Sequence, residues 1–295
     1  MFEKVNAGHP DKMADRLAGA VVDLVYERAG GLTKANPRVA CEVMAGHGRV
    51  DVQIETSLGR LDLRADDLDP LIHRLFGERV EGNVLIAPQD AHLSENQTRG
   101  LRCGDNGIFR GCPPTEEQRV LTAIAATIYG SIPYDGKYII EQRDGQWDLT
   151  VCQSHLSREQ EPELRQMLKE AYNVHLPTIN PLGPWTGGID VDCGCTNRKL
   201  GSDMGDGVTG GGLMGKDLSK ADVSVNIVCY LKAVASGQVV TAMCSIGDEN
   251  VTFVYHDGHR ETERFADIVE QARLYILTDC GGSFERFAEW GLLRP

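Results

Sequence analysis

The stretch RVACEVMAGHGRVDVQIET, residues 38–56, decides the fold class of this chain. From residue 50 to residue 55, valine or isoleucine alternates with aspartate, glutamine or glutamate. This is the period-two pattern of a strand with one buried face. Residues 38–45 form a second, largely apolar stretch, and Gly46-His47-Gly48 supplies a turn between the two. We therefore predict a hairpin with strands over residues 38–45 and 49–56.

A helix is predicted on the N-terminal side of this hairpin. Apolar residues recur at three- and four-residue steps from Met13 to Val25, Pro10 fits a first helical turn, and Gly30-Gly31 ends the pattern. Hairpin and helix alternate about three times along the chain, which predicts an α+β fold with antiparallel sheets packed against helices. Residues 88–107 are polar and are predicted to form a long loop. Later hairpins and helices are predicted at residues 115–129, 137–153, 158–172, 218–235, 239–256 and 264–275.

Composition excludes several functional classes. The chain has 295 residues and a formal net charge of −13, from 30 basic and 43 acidic residues. This excess of acidic groups argues against a nucleic-acid-binding surface and against binding to an anionic membrane. No stretch approaches about 18 consecutive apolar residues, and the N-terminal residues carry no secretory signal. Nine cysteines, an odd number, favour reduced thiols over disulfides or a zinc site. We expect a cytoplasmic protein.

The strongest local signal of function is GGGLMGKD at residues 210–217. It nearly fits the phosphate-binding P-loop, but Asp217 stands where that template needs Ser or Thr, and no apolar strand precedes it. Consecutive glycines still expose backbone N–H groups that favour an anion. Basic residues flank this loop in an otherwise acidic chain, which predicts a polyphosphate pocket. These residues are Arg198, Lys199, Lys216 and Lys220.

Other candidate residues have two interpretations each. The segment GHPDK at residues 8–12 places an imidazole, a carboxylate and an ammonium together, yet His9 and Asp11 also fit an ordinary helix start. Asp222 is either an ion-pair partner of nearby lysines or a magnesium ligand. Glu42 and Glu55 lie on the predicted strands, where a solvated face is the usual explanation.

Six motifs in one order give the chain a resemblance to the S-adenosylmethionine synthetase (methionine adenosyltransferase) family. The resemblance covers nearly the whole chain, and it implies an α+β fold of three similar sheet-and-helix units in a pseudo-threefold arrangement. The units are expected at residues 1–99, 100–179 and 180–295, interleaved in space. The motifs are GHPDKMAD at 8–15, ACE at 40–42, CGDNGIFRG at 103–111, INPLG at 179–183, DCGCTNRK at 192–199 and GGGLMGKDLSKAD at 210–222.

The resemblance also implies a reaction. The sulfur of methionine attacks C5′ of ATP and displaces the triphosphate, which is hydrolysed to pyrophosphate and phosphate. The implied cofactors are Mg²⁺, two per site, and K⁺. The implied partners are ATP, L-methionine and a second copy of the chain, since in this family the pocket forms between two subunits of a dimer, which can pair into a tetramer.

The family motifs imply roles for individual residues of this chain. The implied catalytic residues are His9, Lys137, Arg198 and Lys216. Contacts to ATP and its triphosphate are implied for His9, Asp135, Lys137, Trp185, Asp192, Arg198, Lys199, Leu213 and Lys216. Methionine contacts are implied for Glu55, Gln89, Asp192 and Lys220, and Asp105 is expected near the nucleoside. The implied metal ligands are Asp11 and Asp222 for Mg²⁺ and Glu42 for K⁺.

The chain departs from the family pattern at several positions. Ala7 stands where the family usually has Glu, the glycine loop is one residue shorter, and the lid that begins at Gln89 is also shorter. Two other functions fit the same residues. One is a triphosphatase or nucleotide hydrolase that has lost adenosyl transfer, and the other is a catalytically silent regulatory homologue.

Overall fold

The computed structural model describes residues 1–59, 62–98, 106–143, 145–174 and 176–295. The strands are β1 (Phe2–Val5), β2 (Val39–Gly46), β3 (Arg49–Thr56), β4 (Glu81–Pro88), β5 (Gly107–Gly111), β6 (Gly136–Arg143), β7 (Gln146–Gln153), β8 (Thr178–Ile179), β9 (Cys193–Cys195), β10 (Val240–Cys244), β11 (Asn250–Tyr255) and β12 (Arg260–Arg264). The helices are α1 (Pro10–Arg28), α2 (Asp69–Phe76), α3 (Ala91–Thr98), α4 (Glu116–Ser131), α5 (Glu161–Tyr172), α6 (Leu200–Met204), α7 (Ala221–Ser236), α8 (Phe265–Asp279) and α9 (Phe284–Trp290). Short 3₁₀ helices cover Ala65–Leu68 and Gly205–Gly207.

The strands of the described residues form three four-stranded sheets. Sheet I has the order β4-β3-β2-β9, sheet II the order β1-β6-β7-β8, and sheet III the order β12-β11-β10-β5. Helix α1 packs on sheet I, α4 on sheet II and α7 on sheet III, and each sheet has its own apolar core. The predicted α+β class is confirmed.

Each sheet takes one strand from a distant part of the sequence. Strand β9 completes sheet I, β1 completes sheet II and β5 completes sheet III. The predicted units of residues 1–99, 100–179 and 180–295 each lend a strand to another unit's sheet, and their boundaries stay a prediction.

The predicted hairpin is strands β2 and β3, which pair antiparallel from Val39 opposite Thr56 to Gly46 opposite Arg49. Valine and isoleucine side chains of β3 point into the core that α1 also lines, as the alternation predicts. The alternate residues of β2 and β3, including Glu42 and Glu55, lie on the opposite face of sheet I. One face of this sheet is therefore core and the other holds polar groups.

Two strand pairs correct the expectation of purely antiparallel sheets. Strand β4 runs parallel to β3, and β8 runs parallel to β7. A parallel partner needs a crossover connection, and helix α2 lies in the one between β3 and β4.

The predicted loop at residues 88–107 contains helix α3. Its first turn is capped by Asp90, whose carboxylate accepts the N–H groups of His92 and Leu93, both at 3.0 Å. None of the helices in the described ranges is long and apolar enough to cross a membrane.

Candidate functional site

The start of helix α1 holds the first two site residues. His9 is the N-cap, and its Nδ1 accepts the N–H of Asp11 at 3.2 Å, so the predicted helix start is confirmed. The buried Asp11 carboxylate accepts the N–H of Cys195 at 2.9 Å and the ammonium of Lys199 at 2.6 Å. The cap thus places an imidazole and a carboxylate beside the loop that follows β9.

The environment fixes the charge of both groups. Burial raises the pKa of Asp11, but hydrogen bonds from Lys199 and Cys195 outweigh burial, and the net pKa lies below its usual value. Burial, followed by the charge of Lys199, lowers the pKa of His9 to about 4. His9 is therefore neutral near pH 7. Because its Nδ1 accepts a hydrogen bond, its own proton lies on Nε2.

The loop after β9 brings two cations to Asp11. Lys199 pairs with the Asp11 carboxylate, and Arg198 Nη1 lies 3.6 Å from Asp11 Oδ1 with 58% of its side chain exposed. A Cβ at Gly194 would lie 2.0 Å from the carbonyl oxygen of Pro10, so only glycine allows β9 to approach the helix start this closely. One carboxylate therefore faces two cations, one of them open to solvent.

The glycine loop carries a second ion pair. Lys216 Nζ lies 2.8 Å from Asp222 Oδ2 on the first turn of α7. The loop is fastened to β2, because Cys41 N–H donates to Gly215 O at 2.7 Å and Ala40 forms a bridge with Lys216. Lys216 is thereby fixed at the edge of sheet I.

Asp217, which breaks the P-loop template, has a structural role. Its side chain is fully buried, and its carboxylate accepts the N–H groups of Val39 at 2.9 Å and Ser219 at 2.8 Å. Asp217 thus ties the loop to β2 and to the turn before α7, a structural role that differs from that of the Ser or Thr of a P-loop.

The polar face of sheet I places further predicted site residues near Lys216. Glu55 pairs across the sheet with Ala40, which in turn bridges Lys216, so the three side chains share one face. Gln89 follows the end of β4, and its N–H donates to Thr56 O at 2.9 Å, which places it beside the same end of β3. On the same face, Glu42 accepts a hydrogen bond from the Thr196 hydroxyl.

The remaining predicted charges lie around His9. Lys137 and Asp192 both act electrostatically on the imidazole, and Lys137 pairs with Glu3 at 3.1 Å. Asp135 Oδ2 accepts the N–H of Gly188 at 3.0 Å. Burial, together with the charges of Asp192 and Asp11, raises the pKa of Asp135 to about 6.

Aromatic side chains flank this region. The Trp185 indole N–H donates to Asn180 Oδ1 at 3.2 Å, and a Cβ at Gly187 would touch both the Trp185 ring and Asp135. Tyr134 stacks on His155 with ring centroids 4.1 Å apart. Sequence reasoning named Trp185 and missed this stacked pair, although Tyr134 directly precedes Asp135.

Three predicted residues stand apart. Leu213 is 1% exposed and belongs to the core behind the glycine loop. Lys220 is the N-cap residue of α7. Asp105 lies outside the described residues. The roles implied for all three stay predictions.

A fully buried cluster that sequence reasoning missed lies behind the site. Lys12 Nζ lies 2.8 Å from both oxygens of Asp203 and 3.1 Å from Asp15 Oδ2. Asp15 Oδ1 accepts the N–H of Asn197 at 2.8 Å. Burial raises the pKa of Asp15 to about 7. The cluster connects helix α1 to the loop that carries Arg198 and Lys199.

The carboxylates of the site fit magnesium only in part. No group of three or more His, Cys, Asp or Glu side chains able to hold a metal occurs within the described ranges. Mg²⁺ commonly binds one or two carboxylates, several waters and substrate phosphates. Asp11 and Asp222 are suitable hard oxygen donors for such a site, with phosphates supplying the remainder.

Comparison with known proteins identifies the family. No family model matches the chain. The S-adenosylmethionine synthase of Ruegeria pomeroyi is 28% identical, with 92% of this chain and 83% of that protein covered. That of Rhodopseudomonas palustris strain BisB5 is 26% identical, with 75% of this chain and 70% of that protein covered. These similarities extend over most of the chain and support a divergent member of the S-adenosylmethionine synthetase family.

The fold of this chain is shared with a solved structure. That structure is described as an unusual S-adenosylmethionine synthetase from Campylobacter jejuni. It matches with a TM-score of 0.70 and 19% identity, and 99% of this chain and 93% of that chain are covered. The resemblance found from the six motifs is thus confirmed at the level of family and fold.

Proposed function

We propose that this chain is a methionine adenosyltransferase, which joins the sulfur of L-methionine to C5′ of ATP and releases triphosphate, then hydrolysed to pyrophosphate and phosphate. The observation that carries the proposal is the cluster in which Arg198 and Lys199 converge on Asp11, together with the Lys216–Asp222 pair. A leaving group with so much negative charge needs cations already in place where that charge develops.

The lysines of these ion pairs could exchange their carboxylate partners for phosphates. Lys199 and Lys216 each pair with one carboxylate, and 19% and 17% of their side chains are exposed. Incoming phosphates would compete for the same ammonium groups, and Arg198 offers a planar guanidinium for bidentate contact. The cluster would therefore hold the triphosphate along its length with Lys137 at the side of His9.

The charge state of His9 suits this reaction. A thioether carries no proton to remove, so the attack of sulfur on C5′ needs no general base. Neutral His9 carries its proton on Nε2 and can donate it in a hydrogen bond to the oxygen that leaves C5′. Catalysis would then rest on positioning and on stabilisation of the departing charge.

The other substrate groups have candidate partners nearby. We assign the methionine ammonium to Glu55, its carboxylate to Lys220, and further methionine contacts to Gln89 and Asp192. Trp185 offers a partly exposed ring for adenine beside Asp135. Support comes from the sheet register, which puts Glu55 on the same face as Lys216.

The metal ions implied by the family would use oxygen donors of the site. Asp11 and Asp222 would hold Mg²⁺, two ions per site, and Glu42 with the Thr196 hydroxyl would hold K⁺. When bound, the ions would neutralise phosphate charge. Beyond that contribution, the cations of the chain itself orient the triphosphate.

We further propose a homodimer, able to pair into a tetramer, in the cytoplasm. The polar face of sheet I, on which Glu55 and Lys216 lie, also exposes 61% of Met44 and 58% of Leu85. Large exposed apolar side chains beside charged residues of a binding site are typical of a protein interface. A second copy covering this face would shield Glu55 and Lys216 from solvent.

The proposal is tested by incubating the protein with ATP, L-methionine, Mg²⁺ and K⁺, with products measured by mass spectrometry and phosphate assays. S-adenosylmethionine, pyrophosphate and phosphate are expected in equal amounts, each dependent on methionine. Phosphate release without methionine would favour a triphosphatase or nucleotide hydrolase. No turnover and no Mg²⁺-dependent binding of ATP by calorimetry would favour a silent homologue.

A further inference from the structure

We propose that Asn197 is a positioning residue that holds the two cation-bearing loops of the site at a fixed distance from each other. The proposal rests on the proposed function, since it concerns the same triphosphate cluster. Asn197 has a φ of 62°, in the left-handed region, where asparagine is among the few residues other than glycine that are readily accepted. This turn directs the next two residues, Arg198 and Lys199, toward Asp11.

The side chain of Asn197 joins this loop to the glycine loop. Its Oδ1 accepts the N–H of Met214 at 2.8 Å, and its Nδ2 donates to the carbonyl oxygen of the same residue at 3.3 Å. Both backbone groups of Met214 are therefore bound by one amide. Lys216 follows Met214 by two residues, so the amide constrains the position of that cation.

The glycine loop lies directly on the Asn197 amide. A Cβ at Gly212 would lie 2.2 Å from Asn197 Cγ and 2.4 Å from its Oδ1. The absence of a side chain at Gly212 thus allows the two loops to touch. Asn197 is held from the other side as well, because its N–H donates to the buried carboxylate of Asp15 at 2.8 Å.

These contacts fix the relative positions of three parts of the site: the start of α1, the loop with Arg198 and Lys199, and the loop with Lys216. Asp15 lies one helical turn after Asp11 on α1, Arg198 and Lys199 adjoin Asn197, and Lys216 is fixed through Met214. A residue that touches no substrate can affect catalysis in this way, because a misplacement of about 1 Å costs about 100-fold in rate. The amide would matter most when charge develops on the triphosphate.

The test uses Asn197→Gly, which keeps the left-handed turn but removes the amide. We expect kcat to fall about 10- to 100-fold and the Kd for inorganic tripolyphosphate with Mg²⁺ to rise about tenfold, because the cations are no longer pre-organised. The KM for methionine should stay unchanged. Gly212→Ala should have a similar effect, and the double variant should lose less than the sum of the two, since both changes break one contact.

The matched control is Asn173→Gly, because Asn173 also has a left-handed φ, of 56°, and ends helix α5, whose buried side chains belong to the core of sheet II. It should change neither kcat nor the Kd. Unchanged kcat and Kd in Asn197→Gly would overturn the positioning role while leaving the proposed function intact. If the unmodified protein binds tripolyphosphate but forms no S-adenosylmethionine, the proposed function fails and the Kd values alone decide the role of Asn197. No tripolyphosphate binding together with no S-adenosylmethionine formation would overturn both.

Discussion

Two clusters of cations and carboxylates start from neighbouring residues of helix α1, and they differ in both charge and exposure. The closed cluster has one cation, Lys12, and two carboxylates, Asp15 and Asp203, all nearly without exposed surface. The open cluster has one carboxylate, Asp11, and two cations, Arg198 and Lys199, with 58% and 19% of their side chains exposed.

The difference favours the open cluster as the proposed ligand site. The closed cluster has an excess of negative charge, and burial counters that excess by raising the pKa of Asp15 to about 7. The open cluster has an excess of positive charge at the surface of an otherwise acidic protein, which suits an anion. We interpret the closed cluster as a support for the loop and the open cluster as the binding site.

The largest effect is expected from Lys12→Met. Loss of this lysine leaves two carboxylates buried without a cation, which typically costs about 3–5 kcal/mol. The free energy of unfolding from urea denaturation measures the effect. As a control, Arg264→Met breaks an exposed pair with Asp267 and should leave the unfolding midpoint almost unchanged. Equal midpoints for Lys12→Met and the unmodified protein would show that the closed cluster is no support.

The next effect concerns the cations that face the ligand. Lys216→Ala should cost about 2–4 kcal/mol in the transition state, as for other preorganised donors, and its stability loss should be smaller than that of Lys12→Met. Steady-state kcat/KM for ATP gives the first value and urea denaturation the second. The control is Lys232→Ala. Lys232 lies 2.6 Å from Glu261 of sheet III, and this variant should have the same kcat/KM for ATP as the unmodified protein. A rate constant unaffected by Lys216→Ala would remove this residue from the binding site.

A pH effect is expected at the edge of the closed cluster. Lys4 donates to the carbonyl oxygens of Ser202, Trp290 and Leu293, and burial lowers its pKa to about 7. Between this value and its ordinary pKa the unfolded chain binds one more proton at Lys4 than the folded one. Stability should therefore rise with pH from about 7 upward, by up to about 1.4 kcal/mol per pH unit.

Lys4→Met should remove that contribution to the slope. Urea denaturation of both proteins between about pH 7.5 and pH 9 makes the comparison. Parallel slopes would mean that Lys4 stays charged in the folded protein.

The smallest effect concerns His9, which we expect not to titrate near neutral pH. With its pKa lowered to about 4, His9 should give the nuclear magnetic resonance shifts of a neutral imidazole down to about pH 5. Because phosphate charge opposes the effect of Lys199, added tripolyphosphate should raise the midpoint. A midpoint near the ordinary histidine value, unmoved by tripolyphosphate, would contradict the proximity of His9 to the cation cluster.

Local patterns in the sequence predicted most of the fold. The apolar stretch of β2, the alternation in β3 and the periodicity of α1 depend on residues close in sequence, and all three predicted elements were confirmed. The parallel pairing of β3 with β4 was missed, because partner choice depends on the crossover through α2. Helix α3 was missed because its sequence, AHLSENQT, has no apolar face.

For the site, the sequence predicted the residues of the open cluster but not the closed cluster or the contact of Asn197. Motifs gave the family and named the ionic residues of the open cluster, whose convergence the structure then shows. Lys12 and Asp15 have the three-residue spacing of an ordinary surface pair on a helix, and their partner Asp203 lies 191 residues from Lys12. Nothing local indicates that this pair is buried. The contact of Asn197 with Met214 joins two loops, and only the fold brings them together.

The most direct test of this account is an experimental structure with a non-hydrolysable ATP analogue, methionine and Mg²⁺. We expect the phosphates to contact Arg198, Lys199 and Lys216, with Lys12 still bound to Asp15 and Asp203. A nucleotide bound elsewhere, or phosphates that leave the pairs of Lys199 with Asp11 and Lys216 with Asp222 undisturbed, would contradict the assignment of the open cluster as the triphosphate site.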